Sequence, residues 1–449
     1  FPYTTLFRSM NGDYATPATG NNLSMQVAHA IPNTAVALTN ARVITMNDER
    51  AVIENATVLI KGNRIESIAR GTAVPEDYTE IDLAGKTIMP GIIDAHAHGP
   101  YAGDDIIPQQ NWNLLAHLAL GVTTVHNPSS SAKSAFAAAE YARTDRILGP
   151  RIFSTGEIVY GAKSTSWAPI DNLDDALAHV RRLAAQGAIS VKNYNQPRRE
   201  QRQQVIEAAR QEGLISVAEG GSLYQLDMSM IADGITGIEH NVPTLKMYDD
   251  VHQFWRQSGA GYTPTLVVTY GGLTSEDYFY QNTEVWKHPI LSNFVPPSQL
   301  QARSVRRVTA PEEDYRDDDS AAAAKILMDA GIMVNIGAHG QREGLASHWE
   351  MWSFARGGFS PMEALATATI NPARHLGMDK DIGSLEAGKL ADLVIVDANP
   401  LDDIRNTDRI SHVMINGRLY RAGDLSEEVT GTATLSPFHW QTTPQGAIR

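Results

Sequence analysis

Eight short apolar runs recur along the middle of the chain, and amphipathic stretches separate them. The runs are KTIMPGIIDAH, GVTTVH, PRIFSTG, GAISVK, GLISVAE, GITGIEH, GYTPTLVVT and GIMVNIG. Between them stand segments such as DALAHVRRLAAQ, QRQQVIEAARQE and AAAAKILMDA, with apolar residues at helical spacing. A strand followed by a helix and then a parallel strand is the unit that such alternation encodes. Repeated eight times it predicts an α/β fold, a (β/α)8 TIM barrel.

The flanks read differently. From Ala35 to about Leu83, and again over 383–422, short β-branched segments alternate with turn signals such as Gly62-Asn63. We therefore expect a small discontinuous β-sandwich built from both ends of the chain: 35–88 and 382–425, with the barrel at 89–381. Residues 10–34 are polar and aperiodic and read as a linker; 426–449 read as a tail. Residues 1–9 include PYTTLFRS, which resembles the in-frame translation of a sequencing-library adapter. They are expected to be a cloning scar on bacterial environmental DNA, with the native N-terminus upstream.

The 449 residues accommodate a barrel of about 250 residues and a second unit. Lys plus Arg number 37 against 51 Asp plus Glu, a net charge of −14. That balance disfavours nucleic acid and anionic membranes, both of which recruit clustered cations. The absence of cysteine excludes disulfides, thiolate metal sites and thiol nucleophiles. No apolar run is long enough to span a bilayer. The expected setting is a soluble bacterial protein, cytoplasmic or periplasmic, with a small-molecule substrate; self-association as a homo-oligomer is left open.

Barrel chemistry gathers at the C-terminal ends of the strands. Five of the eight runs end there in residues able to bind metal. The first ends in Asp94-Ala95-His96-Ala97-His98, and residues two apart on a strand point the same way. The fourth ends at Lys192, the fifth at Glu219, the sixth at His240, and the eighth leads into His339. A lone histidine at a strand end is more often structural. Six such residues at equivalent positions point to a divalent ion, zinc above all, with cobalt, manganese or iron(II) as alternatives.

PGIIDAHAH, GSLEAGKLADLVIVDANPL (383–401) and NPARHLG (371–377) resemble the amidohydrolase superfamily over roughly 35–423. HNPSSS, STGEIVYGA, VKNYNQPRREQR, AEGGSLYQ and GAHGQREGLASHWEM are similar to its imidazolonepropionase-like and prolidase-like branch, in particular to bacterial members whose hydrolase follows a TolB-like propeller. The resemblance implies His96, His98 and His240 as ligands, Lys192 as a lysine that is commonly carbamylated, and one or two metal ions. It implies a metal-activated water attacking a C–N amide in a dipeptide, N-acyl amino acid or cyclic amide. Two positions depart from the pattern. Glu219 stands where His is usual, and His339 where the Asp that acts as general base is usual. A compensated swap and a catalytically inactive binding homologue both fit these departures; an esterase or lactonase is a further alternative.

Several roles stay open on sequence. Lys192 is a bridging carbamate, or the partner of Glu219 in an ion pair, or a free amine beside a metal-bridging Glu219. His339 is a ligand or a base; as a base it would give activity an acid limb near ~6–7. Catalysis is accordingly placed on His339, Glu219 and Lys192. Tyr160, Tyr194, Arg198 and His126 are candidate substrate contacts, with packing at the barrel mouth or solvated salt bridges as the plainer roles. His348 and Glu350 are expected to support the site. The long connection 269–317, with Tyr278, Phe279, Tyr280 and Trp286, is expected to be a lid.

Overall fold

The structure is a computed structural model and describes residues 25–99, 101–102, 106–163, 167–220, 223–432 and 434–442. The expected scar at 1–9 and the first part of the linker lie outside the described residues, as do Gly221 and Ser222 of AEGGSLYQ. Seven barrel strands form: Ile92–Asp94, Val122–Asn127, Arg151–Ser154, Ser190–Tyr194, Ile215–Glu219, Gly237–Glu239 and Gly261–Thr263. The first three pair in parallel with one another, as do the last four. Val159–Tyr160, just beyond the third strand, continues the ring by pairing with Asn193 and Tyr194.

The eighth run closes the barrel without becoming a regular strand. Val334 makes one parallel bridge to Tyr262. Asn335 N–H donates to Tyr262 O at 2.9 Å, and on the other side Ala95 N–H donates to Ile336 O at 3.3 Å. The reason is local. A side chain at Gly337 would meet His96 Cβ and Thr263 Cγ2 at 2.7 Å, so the backbone approaches the first strand too closely for an ordinary ladder.

The helices follow their sequence signals. In Leu173–Gln186, Asn172 caps the N-terminus by accepting from Asp175 N–H, Asp174 and Asp175 occupy the first turn, and Gly187 ends it with φ +110°. Ala176, Leu177, Val180 and Leu183 make its buried stripe. Arg199–Gln211 and Asp317–Asp329 likewise coincide with periodic segments.

Both chain ends supply the second unit. Ala35–Ile44 pairs antiparallel with Val52–Lys61 and parallel with Thr79–Asp82 and Thr87–Pro90. Thr87–Pro90 pairs antiparallel with Leu393–Val396, which leads to Ile410–Ile415 and Arg418–Arg421. Val36, Leu38, Val58, Ile60, Ile88, Leu393, Ile395 and Met414 fill its core.

The connection expected to be a lid is part of the barrel's own core. It folds into short helices at Glu276–Asn282, Leu291–Phe294 and Pro297–Gln301. Phe279 stacks on Trp349 with centroids 5.0 Å apart, and Tyr280 meets Trp349 edge-on at 5.4 Å. Phe279 is only 3% exposed. Buried rings of this size anchor a segment rather than let it swing. Phe279→Ala is therefore expected to lower unfolding stability by about 3–5 kcal/mol, measured by urea titration. A loss below about 0.5 kcal/mol, typical of surface changes, would restore the lid.

Candidate metal centre

Four imidazoles meet at the mouth of the barrel. His96 lies 5.0 Å, ring centre to ring centre, from both His98 and His240. His339 lies 5.2 Å from His96, 4.8 Å from His98 and 4.9 Å from His240. His240 and His339 both have left-handed backbones, φ +70° and +57°. For non-glycine residues that conformation carries a cost of roughly 1–3 kcal/mol, and here it turns both rings into the cluster. His339 N–H donates to His96 O at 2.7 Å, which locks the eighth-run turn onto the first strand.

The hydrogen bonds fix which nitrogens are free. His96 Nδ1 lies 2.6 Å from Glu239 Oε2, and His98 Nδ1 lies 3.1 Å from Asn127 Oδ1. Thr265 Oγ1 donates to Pro264 O, so it accepts from His240 Nδ1 at 2.7 Å. Each Nδ1–H is thus occupied, and each Nε2 keeps a lone pair. His240 Nε2 is buried with no hydrogen-bond partner. His96 Nε2 and His98 Nε2 stand 3.2 Å apart. Two nitrogens on a tetrahedral zinc with bonds of ~2.0–2.1 Å are ~3.3 Å apart. One nitrogen each from His96, His98 and His339 lies within 4.8 Å of the others. The donor set fits a divalent cation.

Burial keeps these rings neutral. It pushes His96 and His98 below the usual imidazole value, His240 down to about 4 and His339 down to about 3, with Lys192 and the neighbouring imidazoles adding to the effect. His339 is therefore neutral near pH 7 and keeps a lone pair. Lys192 Nζ lies 2.8 Å from Glu219 Oε2. Burial pushes the Glu219 carboxyl up, but Lys192 and His240 outweigh it and hold it below its ordinary value.

A cleft of about 690 Å³ opens over Glu219. Tyr194 and Tyr270 line it, with Leu226, Val242, Pro243 and Leu245 as an apolar wall and Arg316 at the edge. Tyr270 stacks on His240 at 5.1 Å, and its hydroxyl lies 3.4 Å from Glu219 Oε1. Tyr160 packs on Tyr194 at 5.2 Å.

Three sequence assignments need correction. His126 is buried, with one ring nitrogen 2.9 Å from Ala95 O and the other 2.7 Å from Ser190 Oγ, so it braces strands and does not meet substrate. Arg198 pairs with Glu200 at 2.8 Å on the helix surface, and the neighbouring Arg199 and Arg202 both turn to Asp233. His348 bonds Leu120 O at 2.9 Å, away from the cluster. Glu350 does support the site: it accepts from Val267 N–H at 2.7 Å and from Gly337 N–H at 3.3 Å.

The sequence reading missed Glu239, Tyr270 and the role of Asp94. Asp94 accepts from Ala338 N–H at 3.0 Å and His96 N–H at 3.2 Å, joining the two strand ends that carry ligands. Glu239 had a signal, a carboxylate inside an otherwise apolar run. Burial pushes it up to about 8 against the pull of Lys192.

The amidohydrolase family model matches residues 87–420. The chain belongs to the amidohydrolase family. A 5-methylthioadenosine/S-adenosylhomocysteine deaminase of Bacillus cereus (strain 03BB102) is 23% identical over 423 residues, covering 84% of this chain and 92% of that protein. An imidazolonepropionase of Arthrobacter sp. (strain FB24) is 38% identical over 64 residues, 14% of this chain and 16% of that one. Among solved structures, a Xaa-Pro dipeptidase with methionine bound in the active site superposes with TM-score 0.66 and 21% identity, covering 86% of this chain and all 100% of that one. The barrel with its β-sheet unit agrees with this membership, and these likenesses are consistent with the expected branch. Among the described residues, no helix is long and apolar enough to cross a membrane.

Neutral rings buried below an unfolded-state value of 6.5 make the metal-free protein acid-sensitive. The unfolded chain takes up protons that the folded cluster refuses. The contribution of these rings to stability is full above about 6.5 and falls as pH drops through the interval down to the folded values, about 4 for His240 and about 3 for His339. Melting temperature measured from pH 7.5 to 4 should fall, and His240→Asn should flatten the slope. An unchanged slope would mean that the rings are not held neutral.

Proposed function

We propose that this amidohydrolase is a metal-dependent enzyme that hydrolyses a C–N amide bond in a small substrate carrying a bulky apolar group. The convergence of four neutral imidazoles beside the Lys192–Glu219 pair, with Glu219 lining a cleft, carries this reading. His96, His98, His240 and His339 would hold the ion. Bound there, a divalent cation polarises a carbonyl and lowers the pKa of a water.

The chain's own groups do the rest. Glu219 accepts the proton of the attacking water and passes it to the departing nitrogen. Lys192 keeps that carboxylate ionised and aimed. The Tyr270 hydroxyl, pushed up to about 12 by burial and by Glu219, stays protonated and steadies Glu219 Oε1. Leu226, Val242, Pro243 and Leu245 exclude water from the acyl or aryl part. Dipeptides and N-acyl amino acids with apolar side chains match this shape. The named relatives, a deaminase and a dipeptidase, also break C–N bonds.

Zinc-reconstituted protein should be screened against apolar dipeptides, N-acyl amino acids, cyclic amides and aryl esters. Amide turnover is expected, lost on chelation and restored by metal. Glu219→Gln should lower kcat by about 10²–10⁴-fold with the metal retained. His96→Ala with His98→Ala should abolish metal uptake by elemental analysis. Ester cleavage without amide cleavage would move the assignment to the esterase alternative, and metal binding with no turnover on any class would favour a binding homologue.

A further inference from the structure

We infer that Lys192 serves this chain as a cation paired with Glu219, not as a carboxylated bridge, and that the centre is built for a single divalent ion on its imidazole side. The inference deepens the hydrolase reading above and rests on it.

The geometry separates two halves of the site. On one side His96, His98 and His339 offer nitrogens within 4.8 Å of one another. On the other, Lys192 is 2% exposed with Nζ 2.8 Å from Glu219 Oε2. The second Glu219 oxygen lies 3.4 Å from the Tyr270 hydroxyl, which donates to it. Both oxygens of the carboxylate therefore already face partners within this chain.

Carboxylation would change the sign of the lysine. The ammonium must first lose a proton; the free amine then adds to the carbon of CO₂ and a second proton leaves, so a cation becomes an anion. That anion would then lie against Glu219 in a buried setting, two like charges where a matched pair now stands. Among the six strand-end residues Glu219 is the one carboxylate, and it already pairs with Lys192. Glu239 is committed to His96 Nδ1, and the eighth-strand position is the neutral imidazole of His339. A single ion on neutral imidazoles leaves the Lys192–Glu219 pair electrically closed. Lys192 is then a positioning residue that acts through Glu219.

The test uses the full chain loaded with excess Zn²⁺ in carbon-13-labelled bicarbonate. We expect one zinc per chain by elemental analysis and no carbamate carbon resonance. Lys192→Arg decides between the roles, because a guanidinium stays cationic and cannot take the lysine's carbamate role. It should keep one zinc and hold kcat within about tenfold of the parent, while Lys192→Gln keeps zinc and loses about a hundredfold or more. Two zinc ions per chain with a carbamate resonance, or a Lys192→Arg protein that loses a zinc, would overturn the inference. So would a fully active Lys192→Gln. If Lys192→Arg fails to fold, the stoichiometry and resonance of the parent decide alone. A parent that binds no zinc fails the hydrolase reading itself, which separates that failure from this one.

Discussion

Imidazoles can be crowded together away from water only if they are uncharged, and the rest of the site follows from that constraint. A protonated ring among His96, His98, His240 and His339 would face three neighbours and Lys192 in low dielectric. Neutral rings in turn need a defined tautomer. Glu239, Asn127 and Thr265 supply it by engaging one nitrogen of each of three rings. What remains is a set of lone pairs directed at a common space, which is the property a borderline divalent ion selects.

Holding that set requires ties between elements far apart in sequence. Asp94 links the first strand to the eighth-run turn, and Glu350 links the same turn to the segment after the seventh strand. A side chain at Gly340 would strike His98 O at 2.2 Å, so the turn can close over the first strand only with glycine there. The sheet unit contributes from below. Asp392, beside the strand Leu393–Val396, accepts from Arg151 at 2.6 and 3.1 Å and so clamps the third barrel strand. Its carbonyl also accepts from Gly91 N–H at 3.0 Å, one residue before the first barrel strand. Ligand placement therefore depends on both ends of the chain meeting.

The barrel was legible because strand–helix alternation is a local pattern and needs no knowledge of contacts. The six strand-end residues were legible because equivalent positions on a barrel share one rim. Glu239 was not, since its partner His96 is 143 residues away and strict alternation would aim neighbours 239 and 240 oppositely. The left-handed backbone at His240 breaks that rule. The aromatic-rich connection was misread because length and aromatics suit a lid and a core equally; only Trp349, on a later helix, decides between them. Arg198 failed for a related reason: an arginine near a barrel loop suggests a carboxylate anchor until an adjacent Glu200 takes it.

The two departures from the usual ligand pattern can now be weighed together. An eighth-strand carboxylate would combine two duties, touching the metal and accepting a proton. Here those duties are divided. His339 sits among the other imidazoles, 4.8 Å from His98 and 4.9 Å from His240, which suits a ligand. Glu219 lines the cleft as a carboxylate paired with Lys192, where a proton acceptor would meet substrate. A decayed site would leave one of the pair stranded: a buried carboxylate without a cation, or an imidazole turned away from its neighbours. Neither is present among these residues. The exchange moves one negative charge from the eighth strand to the fifth and keeps the total unchanged. That conservation of charge, more than the survival of any single ligand, is what favours retained chemistry over loss of function.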